Sequence, residues 1–154
     1  MIRYVIDASV LVKLVVPEDG SDTMHTLAAL HRAGAIRLLV PDFALTECAN
    51  VLGRYARRTG TPPEDMQEAF QILCQLGIEE VAHRGLVEDS LTLAMQHDRA
   101  VYDVLYLTLA RKEGIALITA DERFVNALKP RGFAIILLSG WSDALLSEEG
   151  TSEK

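Results

Sequence analysis

The sequence predicts an α/β protein, built as a three-layer α/β/α sandwich around a central parallel sheet of about five strands. Short apolar runs alternate along the chain with longer stretches of helical periodicity, which is typical of strands joined by crossover helices. The first run is almost continuously apolar, as expected of a strand covered on both faces. Right-handed crossovers then place the carboxyl ends of all strands at one edge of the sheet.

The predicted strands are apolar runs bounded by turn residues, and they cover residues 4–6, 37–40, 78–82, 115–119 and 133–138. Caps and periodicity predict helices over residues 9–17, 22–33, 42–59, 64–76, 86–97, 102–114 and from 121 onward. Ser9 and Asp42 are the predicted N-caps of two of these helices. In the helix over 86–97, Leu91, Ala94 and Met95 are predicted to face the core.

Composition limits the class of protein. A chain of 154 residues, 49% of them hydrophobic, is expected to form one domain over 1–146, followed by a polar, frayed tail over 147–154. No apolar run approaches the roughly 20 residues of a membrane span, and no signal peptide is predicted. Cys48 and Cys74 are interpreted as buried free thiols in a reducing cytoplasm. The net charge of −7 argues against binding nucleic acid through bulk positive charge.

Four acids are candidates for a single site. Asp7 and Asp121 each follow an apolar strand directly, so both lie at the edge where open α/β sheets bind ligands. Glu47 lies early in the helix after the second strand, and Asp103 lies at the start of the helix before the fourth, which places both near that edge. Converging carboxylates raise one another's pKa unless a cation joins them. Oxygen ligands suit Mg²⁺ or Mn²⁺, which can bind a phosphate and activate water, so the four acids could hydrolyse a phosphodiester.

Each acid, taken alone, has a simpler explanation. Asp7 and Asp121 can act only as caps of the helices that follow them. Asp103 can be an N-cap, and Glu47 can be a solvated residue on a helix surface.

Polar and basic side chains could support the acids. Ser9, Asn50 and Thr119 can hydrogen-bond the carboxylates, although caps and local turns explain these residues equally well. Arg54 and Arg58 can contact substrate phosphates, or can belong to an ordinary solvated helix face.

Four stretches of the chain, in order, resemble the PIN-domain family and, within it, the VapC-type toxins of prokaryotic toxin–antitoxin pairs. They are residues 5–9 (VIDAS), 45–50 (LTECAN), 102–110 (YDVLYLTLA) and 118–124 (ITADERF). The resemblance implies a PIN-like fold and a ribonuclease that depends on Mg²⁺ or Mn²⁺. It also implies a homodimer and a cognate antitoxin, whose tail docks across the groove and can place an arginine among the acids.

The resemblance also assigns roles to the four acids. Asp7 and Asp103 would be the most direct metal ligands. Asp121 would complete the site, in part through water, and Glu47 would hold a metal or orient the attacking water. Ser9, Asn50 and Thr119 match the polar accessory positions of the family.

Other functions remain open at this point. A PIN domain of this size can process RNA outside a toxin–antitoxin pair. A phosphotransferase of the haloacid-dehalogenase type also begins with an aspartate at a strand end, but it needs a second acid two residues later, where this chain has Ser9. A non-catalytic binding module is disfavoured because all four acids are present.

Overall fold

The structure, a computed structural model, describes residues 1–149, with side chains through residue 147. Its strands are β1 (Ile2–Ile6), β2 (Ile36–Pro41), β3 (Glu79–Val81), β4 (Ala116–Thr119) and β5 (Ile135–Leu137). They form one parallel sheet in the order β3-β2-β1-β4-β5. The predicted α/β class and parallel sheet are therefore confirmed.

Helices flank this sheet and give the three-layer arrangement. They are α1 (Ala8–Leu11), α2 (Ser21–Arg32), α3 (Ala44–Thr59), α4 (Pro63–Cys74), α5 (Val87–His97), α6 (Val101–Glu113), α7 (Glu122–Leu128) and α8 (Ala144–Glu149). The predicted tail over 147–154 lies, from residue 150 onward, outside the described residues. No helix within residues 1–149 is long and apolar enough to cross a bilayer.

Strand β1 is the centre of the sheet and pairs with β2 on one side and with β4 on the other. Its residues Tyr4, Val5 and Ile6 are almost completely buried, as the continuous apolar run predicts. The chain builds β2 and β3 on one side of β1 and then returns to build β4 and β5 on the other. The strand order thus reverses between β1 and β4, and ligands bind at such a switch point in open α/β sheets.

The orientation predicted for α5 is wrong at two of three positions. Leu91 is 50% exposed and Met95 is 76% exposed, whereas Leu93 and Ala94 face the core. Ser90 is also buried there, because its hydroxyl donates to Leu86 O at 2.6 Å and lies 2.8 Å from the hydroxyl of Thr108 in α6. Two polar side chains that satisfy each other occupy the interface, so apolar character alone indicated the wrong face.

Two further local predictions are corrected. Cys48 is buried as expected, but Cys74 is exposed at the end of α4. Asp42 does not cap α3, whose N-cap residue is Phe43 without a side-chain hydrogen bond. The Asp42 carboxylate instead accepts a hydrogen bond from the backbone N–H of His83, which follows β3. The pairing of β3 with β2 brings this distant partner beside Asp42.

Candidate active site

Asp7 lies directly after β1 and is the N-cap of α1. Its Oδ1 accepts the backbone N–H of Val10 at 3.2 Å. The predicted cap at Ser9 is therefore wrong, since Asp7 occupies the capping position and Ser9 lies within α1. Capping does not use all of the Asp7 carboxylate, because further donors reach both of its oxygens.

Two hydroxyls connect Asp7 to the turn that follows β4. The Ser9 hydroxyl accepts the backbone N–H of Ala120 at 3.1 Å and donates to Asp7 Oδ1. The Thr119 hydroxyl accepts the N–H of Asp121 at 3.1 Å and donates to Asp7 Oδ2. Each hydroxyl thus accepts a hydrogen bond from a backbone N–H and donates one to the Asp7 carboxylate. Together the two hydroxyls connect the carboxyl ends of β1 and β4. The hydrogen bonds predicted for Ser9 and Thr119 are present in the structure.

Burial raises the pKa of Asp7 from 3.8 to about 6. The hydrogen bonds from Ser9, Thr119 and Val10 lower this pKa and so limit the rise, and the nearby charge of Asp103 raises it. The sheet therefore holds a carboxylate whose charge is incompletely compensated by the protein itself. An added cation would stabilise the ionised form.

Asp121 and Asp103 lie on the open side of the same edge. Asp121 is the N-cap of α7, where its Oδ1 accepts the N–H of Phe124 at 3.1 Å, and its side chain is exposed. Asp103 lies in the first turn of α6, whose N-cap residue is Ala100, so the alternative that Asp103 caps this helix is wrong. Partial burial and the charge of Asp121 raise the pKa of Asp103, while Arg99 lowers it.

Glu47 lies in the first turn of α3 and is held by a residue of α6. The hydroxyl of Tyr106 donates to Glu47 Oε2. Burial raises the pKa of Glu47, the bond from Tyr106 lowers it, and Asp103 raises it. Sequence reasoning did not give Tyr106 this role, although its position three residues after Asp103 placed it on the correct side of the helix.

Electrostatic interactions show that the four predicted acids share one region. The charge of Asp103 raises the pKa of both Asp7 and Glu47, and the charge of Asp121 raises that of Asp103. Asp103 is thus the common neighbour of the other three. The structure brings together residues from the β1–α1 turn, α3, α6 and the β4–α7 turn, which are far apart in sequence.

The donor atoms fit a hard divalent cation. The available groups are carboxylates and hydroxyls, which Mg²⁺ and Mn²⁺ prefer, and repulsion among the carboxylates would fall when a cation joins them. Within residues 1–147, no group of three or more His, Cys, Asp or Glu side chains is placed so that it could hold a metal ion together. Mg²⁺ typically binds one or two carboxylates and keeps several waters, so a complete protein cage is not required.

The remaining predicted residues lie outside this group. Asn50 is exposed on α3, and no hydrogen bond joins it to the four acids. Arg54 and Arg58 are exposed farther along the same helix, where the Arg58 guanidinium lies 5.8 Å from the centre of the Tyr55 ring. The supporting role of Asn50 and the RNA contacts of the two arginines stay predictions.

The sheet order and the acids at its switch point define the class of protein, an α/β protein with an acidic site at the carboxyl edge. A family model described as the PIN domain matches residues 4–129. The chain belongs to the PIN-domain family.

Known proteins support this membership. The chain is 33% identical over 129 residues to Ribonuclease VapC3 of Pyrobaculum aerophilum, a match that covers 80% of this chain and 93% of that protein. The crystal structure of PAE2754 from Pyrobaculum aerophilum superposes with a TM-score of 0.66 at 18% identity, covering 97% of this chain and 98% of that one. A toxin–antitoxin complex from Klebsiella pneumoniae contains a chain with a TM-score of 0.61 at 12% identity, covering 88% and 97%. The two structures show the same fold.

Proposed function

We propose that this protein is a VapC-type endoribonuclease, a hydrolase that cleaves RNA phosphodiester bonds with the help of a divalent metal ion. The observation that carries the proposal is the carboxylate of Asp7, which is largely buried at the switch point beside Asp103 and has a pKa raised to about 6. The relative at 33% identity is named as a ribonuclease. Asp103 and Asp121 are exposed at this edge, where an RNA strand can reach them.

Asp7 and Asp103 are the proposed direct ligands of Mg²⁺ or Mn²⁺, with Asp121 and Glu47 completing the site. Such an ion stabilises charge on a phosphate oxygen and lowers the pKa of a bound water. The residues of the chain provide the geometry: Ser9 and Thr119 fix both oxygens of Asp7.

Glu47 is proposed to orient the attacking water or to accept its proton. Burial raises the pKa of Glu47, and a carboxylate with a raised pKa is a stronger proton acceptor. The hydrogen bond from Tyr106 fixes one oxygen of Glu47, which leaves the other available to a water molecule.

The proposal includes a protein partner. One structural neighbour is part of a toxin–antitoxin complex, and the ribonuclease relative is named VapC3. We therefore propose that the chain is the toxin of a type II toxin–antitoxin pair and forms a homodimer. The net charge of −7 and the acidic edge suit a basic segment of an antitoxin, such as an arginine that neutralises the acids.

A second candidate is an RNA-processing PIN nuclease that acts without an antitoxin, since the same site would serve it. Induced expression in a host, with and without the neighbouring gene, distinguishes the two. The dehalogenase-type alternative loses support, because Ser9 is a hydroxyl donor to Asp7 and cannot replace the second acid of that chemistry.

The direct test incubates the purified protein with a mixture of single-stranded and structured RNAs, followed by sequencing of the fragment ends. We expect internal cleavage with Mg²⁺ or Mn²⁺, loss of cleavage in excess EDTA, and recovery when Mn²⁺ is restored. Asp103→Asn should be inactive, whereas Asp89→Asn, which alters an exposed acid on α5, should cleave like the wild type. Cleavage that persists in EDTA, or in Asp103→Asn, would contradict the mechanism.

A further inference from the structure

One exposed aromatic side chain adjoins the acidic site. Tyr102 immediately precedes Asp103 and is 65% exposed. It is the only aromatic residue among the large, exposed apolar side chains within residues 1–147. A ring that is mostly in water buries little apolar surface, so its burial contributes little to the stability of the fold.

The ring of Tyr102 is nevertheless held in place from behind. Phe43, the N-cap residue of α3, contacts it edge to face, with 6.0 Å between ring centres and an angle of 70°. Phe43 contacts two more rings in the same manner, His83 at 5.2 Å and Tyr106 at 5.4 Å. We call Tyr102, Phe43 and His83 the aromatic platform.

His83 is fixed by a second residue at the rim of the platform. The Asp42 carboxylate accepts the backbone N–H of His83 at 3.2 Å and also contacts the ring at Nδ1. The side chain of His83 remains 39% exposed, so its ring is both oriented and accessible. An aromatic surface that is rigid before binding loses little conformational entropy when a ligand covers it.

The platform is continuous with the acids. Phe43 O accepts the N–H of Glu47 one helical turn later, at 3.1 Å. On α6, Tyr106 lies one turn after Tyr102, contacts Phe43 with its ring and donates its hydroxyl to Glu47. Phe43 thus lies one turn before Glu47 on α3, and Tyr102 lies in the same first turn of α6 as Asp103.

We propose that the aromatic platform stacks a base of the RNA substrate, with Tyr102 as the contacting ring, at a nucleotide next to the scissile phosphate. The inference rests on the proposed function and adds to it the residue that positions the strand. Single-stranded RNA is commonly held by stacking its bases on aromatic side chains, a contact that tolerates many sequences. Acids at the centre of the site cannot attract RNA by themselves, so an aromatic stacking surface beside them provides binding that does not depend on charge.

The test compares three single variants in steady-state cleavage of an RNA oligonucleotide that the wild type cuts. Tyr102→Ala should lower kcat/KM by on the order of 10- to 100-fold, mainly through KM, because one stacked base is lost. Tyr102→Phe keeps the ring and should remain within about twofold of the wild type. Met95→Ala, which removes an even more exposed apolar side chain from α5, is the matched control and should be unchanged. Circular dichroism verifies that each variant is folded.

An abasic substrate makes the test specific for stacking. Replacing one nucleotide next to the cleavage site by an abasic unit should slow the wild type by the same factor as Tyr102→Ala. The same substrate should cause no additional loss in Tyr102→Ala, because the base and the ring act as a pair. The inference is overturned if, at every flanking position, the loss from the abasic unit and the loss from Tyr102→Ala multiply, since the base and the ring would then act independently.

Binding separates this inference from the proposed chemistry. Quenching of 2-aminopurine in a mixed-sequence RNA oligonucleotide is measured with Asp7→Asn and with the double variant Asp7→Asn/Tyr102→Ala. Quenching that disappears in the double variant supports the platform even if the wild type fails to cleave, in which case only the nuclease proposal is lost. Equal quenching in the two variants overturns the inference that Tyr102 stacks a base. The inference is also overturned if Tyr102→Ala binds RNA normally but loses a co-purified protein partner, because the platform would then be a protein interface.

Discussion

The turns after β1 and β4 share a local design but differ in their surroundings. In both, a buried strand leads to an aspartate that caps the next helix, and Oδ1 accepts the N–H three residues later, at 3.2 Å for Asp7 and 3.1 Å for Asp121. Asp7, however, lies at the central strand of the sheet, while the side chain of Asp121 is exposed. The sequence motif is the same, and the position in the sheet distinguishes the two acids.

The difference shows that two helix-capping aspartates with the same sequence pattern can have very different surroundings. The Asp7 carboxylate accepts hydrogen bonds from Ser9 and from Thr119, and Thr119 is the last residue of β4, directly before the other turn. Burial raises the pKa of Asp7 to about 6 in spite of these donors. The end of β4 therefore supplies two groups: the acid Asp121 and the Thr119 hydroxyl, which orients Asp7 at the end of β1.

The largest expected effect comes from exchanging the carboxylates for amides. Asp7→Asn should reduce kcat by on the order of 10³-fold or more, since charge stabilisation worth several kcal/mol depends on it. Asp121→Asn should reduce kcat by roughly 10- to 100-fold, because the proposed role of this exposed acid is to complete the site from its rim. Single-turnover cleavage at saturating Mn²⁺ measures both, and equal losses would mean that the two turns contribute alike.

The second prediction concerns stability and pH in the presence of EDTA. A pKa raised from 3.8 to about 6 means that the native state holds the Asp7 proton more tightly than the unfolded state. The free energy of unfolding should therefore fall as the pH rises from about 4 to about 6, and the contribution of Asp7 should level off above that, at about 3 kcal/mol in total.

Variants isolate the contribution of Asp7 to this profile. Asp7→Asn lacks the titrating group, so its free energy of unfolding should rise relative to the wild type over the same pH interval. Asp121→Asn keeps Asp7 and should retain the fall. Urea unfolding at half-unit pH steps gives the free energy of unfolding as a function of pH. Parallel curves for Asp7→Asn and the wild type would show that the native state does not raise the pKa of Asp7.

The third prediction breaks the link between the two turns. Thr119 is fully buried, and Thr119→Val keeps its shape but removes the hydroxyl that lowers the pKa of Asp7. We expect a loss of roughly 10- to 100-fold in kcat/KM and a shift of the acidic limb of the pH–rate profile to higher pH. Thr119→Ser restores the donor and should recover most of the activity. A loss without a change in the pH profile would indicate a packing defect instead.

The smallest expected effect lies outside both turns. Arg54→Ala and Arg58→Ala remove exposed charges of α3 that the chemistry does not use. If they contact RNA phosphates, each variant should raise KM a few-fold and reduce the slope of log KM against log salt by about 1, without changing kcat. Titration of cleavage against KCl measures the slope, and Arg32→Ala on α2 is a control. An unchanged slope assigns both arginines to the solvated surface.

Much of the fold follows from short-range patterns. The apolar runs locate β1, β2 and β4, because strands covered on both faces need continuous apolar residues. Asp7 and Asp121 follow their strands directly, so the parallel sheet alone brings both to one edge. Gly114 ends α6 with a left-handed φ of 66°, as its position in the sequence predicts.

Contacts between distant residues decided the rest. Asp42 bonds to His83 instead of capping α3, and Ser90 and Thr108 form a buried pair that leaves Leu91 in solvent. Neither outcome is visible in a local pattern, because each depends on which elements are neighbours in the sheet or across a helix interface.

By itself, the sequence determined the α/β class, the sheet edge and the four acidic residue types that converge there. Only the tertiary structure decided that Asp7 is held by Thr119, that Tyr106 donates to Glu47 and that Tyr102 remains exposed. The physical reason is range: caps and periodicity are set within about one helical turn, whereas burial and pKa depend on groups that the chain brings together from more than 50 residues away.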